Sequence, residues 1–226
     1  MLSYKEEFIR FMLDCGALMF GDFVTKSGRR TPFFINTGAY RTGSQVARLG
    51  AFYAEAIMAH TSGEIDVLFG PAYKGIPLVV ATATALAANY RRDVAFCFNR
   101  KEIKDHGEGG VFVGYQPCAG DRVLIVEDVV TAGTSIAETV PLLLDTAPVT
   151  LAGLVVSVDR QERGKGTRTA LAEIRENYGM ETFAIVTMSE VVAYLREREV
   201  DGKVVLDDDT KRRIEAYYAQ YGGTEL

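Results

Sequence analysis

The sequence predicts an α/β fold, a central parallel sheet flanked by helices with a small N-terminal cap, and three observations carry it. Segments of about a dozen residues with helical period alternate with short β-branched runs. Those runs are apolar throughout, as strands buried on both faces are, rather than alternating apolar with polar. The N-terminal residues break the pattern: FGDFVTKSGRRTPFFINTGAY (20–40) mixes aromatics, glycines and basic residues without helical period and reads as a strand-rich cap beside the sheet.

The elements follow in chain order. MLSYKEEFIR is amphipathic and carries Lys5, Glu6, Glu7 and Arg10. A secretory leader needs an uninterrupted apolar core, so a cytoplasmic location is expected. Residues 44–59 put Val46, Leu49, Gly50, Tyr53, Ala54 and Ile57 on one stripe, which predicts a helix. Buried parallel strands are expected at 66–70 (DVLFG), 95–99 (AFCFN), 122–128 (RVLIVED), 151–159 (LAGLVVSVD) and 183–187 (FAIVT). Helices are expected at 75–91, 133–145, 167–178 and 189–198, with a more charged one at 208–220. The uncharged stretch 75–90 is shorter than the roughly 20 apolar residues a membrane span needs and reads as a buried helix, so no membrane partner is expected. No repeat, low-complexity tract or linker interrupts residues 1–226, which are read as one domain with about 1–40 forming the cap.

Composition narrows the function. With 25 Lys and Arg against 30 Asp and Glu the net charge is −5, which excludes a basic nucleic-acid arm as the main business of the chain. At 48% hydrophobic and 24% charged, the chain can bury one sizeable core and is not intrinsically disordered. Cys15, Cys97 and Cys118 form no CxxC pair and read as reduced, mostly structural thiols. His60 and His106 are the only histidines, so a histidine-rich metal site is impossible. A divalent metal would be held by oxygens and substrate, which favours magnesium.

Open parallel sheets bind ligands beyond the carboxyl ends of their strands. Here those ends carry Tyr73 and Lys74, Arg100 and Lys101, Glu127 and Asp128, and Asp159 and Arg160. VLIVEDVVTAGTS (123–135) is the most specific of these segments: an apolar strand delivers adjacent carboxylates, then a small-residue loop opens a helix. Backbone N–H groups with the hydroxyls of Thr131, Thr134 and Ser135 form a cradle for a phosphate monoester at a helix N-terminus, and Gly133 allows close approach. Acid pair and cradle are separated by about the span between ribose hydroxyls and a 5′-phosphate. A Walker A loop is excluded, because its leading glycine before Gly164-Lys165 would fall on Asp159, and no GxGxxG opens a helix.

This segment resembles the signature of type I phosphoribosyltransferases, which bind 5-phosphoribosyl 1-diphosphate (PRPP). Four further blocks resemble the orotate phosphoribosyltransferases within that family: FVTKSGRRTPFFIN (23–36), LFGPAYKGIP (68–77), CFNRKEIKDHGEGG (97–110) and VSVDRQERG (156–164). The resemblance implies the type I phosphoribosyltransferase fold with a hood. It implies transfer of the phosphoribosyl group to orotate, yielding orotidine 5′-phosphate and pyrophosphate on the way to UMP. It assigns PRPP contacts to Lys26, Tyr73, Lys74, Arg100, Lys101, Lys104 and His106, and to the run Glu127, Asp128, Val129, Val130, Thr131, Ala132, Gly133, Thr134 and Ser135. Phe34, Ile35, Thr131 and Arg160 are assigned to orotate, Ile35 standing where many relatives have an aromatic. Lys101, Lys104, His106 and Asp128 are the implied catalytic residues.

By the same resemblance the 100–110 loop is a lid that closes over a neighbouring subunit's site in a homodimer, with Lys101 acting in its own chain and Arg100, Lys104 and His106 reaching across. Mg2+ is the implied cofactor, held mainly by PRPP, with no side chain assigned to it. For Arg160 the competing reading is a strand-end ion pair with Asp159 or Glu162. Two functional rivals stand beside the orotate reading. One is a purine or uracil phosphoribosyltransferase, which would have little use for Arg160. The other is a PRPP-sensing regulator that binds nucleic acid, against which the net charge and the cationic lid both argue. The last 26 residues receive no role beyond a capping helix.

Overall fold

A computed structural model describes residues 1–25, 28–101, 110–131, 133–196, 198–200 and 202–224. The elements run α1 (Ser3–Asp14), β1 (Leu18–Val24), β2 (Arg30–Ile35), a 3-10 turn (Thr37–Ala39), α2 (Gly43–His60), β3 (Val67–Phe69), α3 (Gly75–Tyr90), β4 (Ala95–Asn99), β5 (Phe112–Gly114), β6 (Arg122–Glu127), α4 (Thr134–Thr146), β7 (Thr150–Asp159), α5 (Ala170–Tyr178), β8 (Thr182–Thr187), α6 (Met188–Leu195), β9 (Glu199–Val200), β10 (Lys203–Val204) and α7 (Asp208–Tyr221).

The main sheet has six strands in the order β5-β4-β3-β6-β7-β8. Five are parallel, as the apolar runs predict, and β5 pairs antiparallel with β4 at the edge. Strand residues alternate between two cores: Val67, Phe69, Val123 and Ile125 face one, and Leu68, Leu124 and Val126 face the other. The first core takes Ile136, Val140 and Leu143 of α4 with Leu171 and Ile174 of α5. The second takes α1, α2, α3 and α6. In α2, a Cβ on Gly50 would lie 2.5 Å from the Ala81 backbone, so only glycine lets α2 and α3 pack this closely.

Three boundaries move from their sequence positions for local reasons. The α5 helix starts at Ala170 rather than 167, because Thr169 caps it through its hydroxyl on the Ala172 N–H and the preceding residues pair with the C-terminal tail. The α6 helix starts at Met188, set by a reciprocal capping box between Thr187 and Glu190, and ends at Leu195. Arg91 ends α3 in a left-handed conformation.

One expectation is corrected. The α3 helix is not buried all round: Pro77, Val80, Thr84, Ala87 and Ala88 form an exposed stripe. Its other faces are covered by α2 and the sheet.

The cap is an antiparallel hairpin of β1 and β2, separate from the main sheet. The α1 helix does not join the hairpin but sends Phe8, Ile9, Phe11 and Met12 into the helical layer against Phe52. Instead α7 docks on β2, with Phe33 between Tyr217 and Tyr218. All three cysteines are free: Cys97 is buried, Cys15 half-buried and Cys118 exposed.

From β3 the chain winds outward to β4 and then returns to β6 on the other side of β3, so the winding direction reverses between β3 and β6. That reversal opens the crevice in which open α/β sheets bind ligands.

Candidate active site

Two loops meet in the crevice. After β3, residues Gly70 to Gly75 make a turn so tight that a Cβ on Gly70 would lie 2.3 Å from the Gly75 carbonyl oxygen. The Ala72–Tyr73 peptide within it is cis. This turn lifts Tyr73, which is 71% exposed, and Lys74 over the opening. After β6, Glu127 and Asp128 are followed by the loop that opens α4, where Gly133 takes φ +69° at the N-cap. Pro71 to Lys74, Glu127 to Thr131 and Gly133 to Ser135 line one cavity of about 320 Å³.

Five hydrogen bonds pin the two carboxylates. The Glu127 carboxylate accepts the Asp128 N–H at 2.9 Å and the Ser135 hydroxyl at 2.8 Å. Asp128 Oδ1 accepts the Val129 N–H at 2.8 Å. Its Oδ2 accepts the Thr37 hydroxyl at 2.6 Å and the Lys74 ammonium at 2.7 Å. Behind the pair, Tyr53 donates its hydroxyl to the Glu127 carbonyl at 2.7 Å, and Ser157 donates its hydroxyl to the Asp128 carbonyl at 2.6 Å.

These environments separate the two acids. Burial pushes the Glu127 carboxyl up to about 7, aided by the neighbouring Asp128 charge. Burial pushes on Asp128 too, but hydrogen bonds from Lys74, Thr37 and the Val129 N–H outweigh it and hold Asp128 below the ordinary carboxylate value. Near neutral pH the site therefore presents one firm anion and one carboxyl able to carry a proton.

The α4 N-terminus opens at the cavity, where the sequence places a phosphate cradle. Thr131, Gly133, Thr134 and Ser135 line the cavity at the helix opening, where Gly133 is the N-cap and makes no side-chain cap bond, and a helix N-terminus is a site that favours an anion. Across the cluster of Lys74, Asp128 and Thr37 lies a second cavity of about 310 Å³, lined mostly by apolar side chains including Tyr40, Leu49, Tyr53 and Leu78.

The structure thus brings together Tyr73, Lys74, Glu127, Asp128, Val129, Val130, Thr131, Gly133, Thr134 and Ser135. Arg100 and Lys101 follow β4 at the same end of the sheet but do not line the cavity. Lys26, Lys104, His106 and Ala132 lie outside the described residues. In the cap, Phe34 is half-buried and stacks on Phe23 at 5.5 Å. Ile35 points the other way along β2, into the core with Phe33.

Arg160 is 8% exposed, pairs with Glu162, and lies with its guanidinium 4.9 Å above the Phe33 ring. The strand-end ion pair is therefore real. Glu162 occupies the Nε–Nη2 side of the guanidinium and leaves the end-on Nη1–Nη2 side outside that pair, while Arg160 lines neither of the two cavities.

Sequence reasoning missed Thr37, Tyr53 as a donor, and Ser157. Tyr53 fits the apolar stripe of α2, and nothing local marks the other two. Among the described residues no group of three or more His, Cys, Asp or Glu side chains could hold a metal ion. Among the described residues that line the cavity, the side-chain atoms able to ligate a metal are oxygens, chiefly those of Glu127, Asp128, Thr131, Thr134 and Ser135.

Comparisons with known proteins agree with this geometry. Residues 36–190 match the family model described as the phosphoribosyl transferase domain. The chain is 59% identical over 222 residues to an orotate phosphoribosyltransferase of Clostridium beijerinckii, covering 98% of this chain and 99% of that one. It is 49% identical over 226 residues to an orotate phosphoribosyltransferase of Pseudomonas aeruginosa, covering 98% and 100%. Among solved structures, the orotate phosphoribosyltransferase of Francisella tularensis superposes with a TM-score of 0.84 at 37% identity, covering 96% of this chain and all of that one.

Proposed function

This chain belongs to the orotate phosphoribosyltransferase family, and we propose on that footing that it transfers the 5-phosphoribosyl group of PRPP to orotate, giving orotidine 5′-phosphate and pyrophosphate in UMP biosynthesis. The observation that carries the reading is the single cavity at the switch point, where the acid pair, the phosphate cradle and the Tyr73-Lys74 turn converge. The chain acts as one phosphoribosyltransferase domain.

The residues divide the work by charge. The N–H groups of the α4 opening, with Thr131, Thr134 and Ser135, hold the 5′-phosphate. Asp128, anionic and fixed by the Ser157 and Val129 bonds, takes the ribose hydroxyls, and Glu127 supports it through the Asp128 N–H. Lys74 turns from Asp128 toward the diphosphate, where Tyr73, Lys26, Arg100 and Lys101 add donors, and Val129, Val130 and Ala132 shape the loop.

As the C1–O bond to the diphosphate breaks, positive charge grows on the ribose and negative charge on the leaving group. The new bond joins a ring nitrogen of orotate to C1 from the opposite face as that nitrogen gives up its proton to solvent, and the electron pair of the broken C1–O bond leaves with pyrophosphate. The carboxylates stabilise the ribose end and the cations the diphosphate end, where charge develops. Lys104 and His106 of the lid complete the cationic side and shield the sugar from water.

The oxygen-bearing side chains at the cavity fit Mg2+, which would be held mainly by PRPP and would neutralise the diphosphate when bound. Orotate is bordered by Phe34, Thr131 and the end-on side of Arg160, with Ile35 backing β2 from the core.

The exposed α3 stripe, with Tyr115 beside it on the β5 side, supports a homodimer in which Arg100, Lys104 and His106 serve the partner's site. No described helix is long and apolar enough to cross a membrane. The enzyme works in the cytoplasm on small molecules, without a nucleic-acid partner. Loss of orotate absorbance with PRPP and Mg2+, run beside uracil, hypoxanthine and adenine, tests the reading. Consumption of orotate alone is expected, and turnover of another base in its place would overturn it.

A further inference from the structure

The C-terminal segment, to which the sequence assigned no role, is stitched to the loop that follows Arg160. The Gly223 N–H donates to the Gln161 carbonyl at 3.1 Å, and the Arg163 N–H to the Tyr221 carbonyl at 2.9 Å. The Thr169 N–H donates to the Thr224 carbonyl and the Thr224 N–H to the Thr167 carbonyl, both at 3.0 Å. Both arms of the 161–169 loop therefore hang on the end of α7 and the residues after it.

Side chains continue the connection to the guanidinium itself. Tyr218 donates its hydroxyl to the Arg160 carbonyl at 2.6 Å, fixing the backbone at the end of β7. Tyr217 donates to Glu162 Oε1 at 2.8 Å, the same oxygen that accepts Arg160 Nε at 3.1 Å. Arg29 of the cap reaches Glu162 Oε2 at 3.2 Å. Phe33 carries Arg160 on its face and packs against both tyrosines. Arg160, Glu162 and Tyr217 are each more than nine-tenths buried.

Such a cluster is a poor device for stability alone, because desolvating two ions offsets most of their attraction, and an apolar set of the same volume would pack as well. What it does supply is direction. With Glu162 holding the Nε–Nη2 side, rotation of the guanidinium about its last bond is fixed, and the end-on side keeps one orientation.

We propose that Glu162, Tyr217 and Tyr218 are positioning residues for Arg160, so that the C-terminal helix sets the affinity of the site for the acceptor's carboxylate. This rests on the reading of Arg160 as the group that grips orotate.

The test is steady-state kinetics of Tyr217→Phe, Tyr218→Phe and Glu162→Gln, each scored for both substrates. The phenylalanines keep the packing on Phe33 and lose only the hydroxyls. For each, KM for orotate is expected to rise roughly three- to tenfold, the span of one net hydrogen bond, with KM for PRPP unchanged. In an Arg160→Gln background, Tyr217→Phe is expected to add nothing further to KM for orotate, as residues acting through one group are non-additive.

A parallel rise in both KM values, or no change in either for the two phenylalanine variants, overturns the proposal even if Glu162→Gln fails to fold. The underlying reading fails separately: an Arg160→Ala enzyme with unchanged KM for orotate removes the grip itself. If Arg160→Ala raises that KM and the tyrosine variants do not, the grip stands and the positioning role falls.

Discussion

Lys74 Nζ lies 2.7 Å from Asp128 Oδ2, so a cation from the turn after β3 and an anion from the end of β6 close across the switch point of the sheet. The pair is asymmetric: the Lys74 side chain is 66% exposed and that of Asp128 only 9%. Solvent weakens what the pair contributes to stability, and Lys74 is free to swing. Asp128 is not, and it keeps its position through Val129 and Ser157 when the lysine leaves.

From this asymmetry the two acids are expected to differ in catalysis. Asp128→Asn removes the anion proposed to take the ribose hydroxyls and should lower kcat by about 10²- to 10³-fold, the usual cost of losing one preorganised electrostatic partner. Glu127→Gln imitates the protonated form that burial already favours near pH 7, so its loss should be about tenfold or less. Kinetics of the two variants, with circular dichroism to confirm folding, check this. Equal losses would contradict the separation of roles.

The same burial predicts how stability varies with pH. Folded, Glu127 keeps its proton up to about pH 7, while in the unfolded chain it ionises near its ordinary 4.5. Between these values the folded state binds the extra proton, so this group lowers stability as pH rises through the window. Asp128 acts oppositely: its depressed value adds stability above its ordinary 3.8, lost as pH falls below it. The ligand-free Tm should therefore fall more steeply between about pH 5 and 8 in the parent enzyme than in Glu127→Gln, measured by thermal denaturation in a pH series. Parallel slopes would remove Glu127 as the source.

Tyr53 makes a third prediction, about the scaffold behind the pair. Its hydroxyl is fully buried and donates to the Glu127 carbonyl. Tyr53→Phe leaves that carbonyl without its side-chain donor at no cost in packing volume. A loss of about 1 to 3 kcal/mol in urea denaturation is expected, the penalty for an unmet buried polar group. A loss below about 0.5 kcal/mol would mean that water or a shift of β6 replaces the bond.

What was legible in the sequence was what is local. The five parallel strands are continuous apolar runs, and the acid pair with its loop is contiguous, so pattern and order sufficed. The β5 strand has three residues, too few for any period, and stayed invisible. Thr37 and Tyr53 reach the acid pair across 91 and 74 residues of chain, and a lone threonine or a tyrosine on an apolar stripe gives no sign of such a contact. Tyr217 and Tyr218 likewise satisfy the helical pattern of α7, and only the packing of that helix on the cap shows what their hydroxyls hold.

The proposed sharing of the lid between subunits yields the last prediction. If Lys104 serves the partner's site while Arg160 serves its own, a hybrid of Lys104→Ala and Arg160→Ala chains places both defects in one site and leaves the other intact. Two impaired preparations should then gain activity on mixing, at the rate of subunit exchange. Mixing Lys104→Ala with His106→Ala chains gives one lid defect in every site and should gain nothing. The measurement is turnover after mixing, with exchange followed by co-purification of differently tagged chains. Exchange without recovered activity in the first pair would show that each chain closes its own lid, and the α3 stripe would then need another explanation than a shared active site.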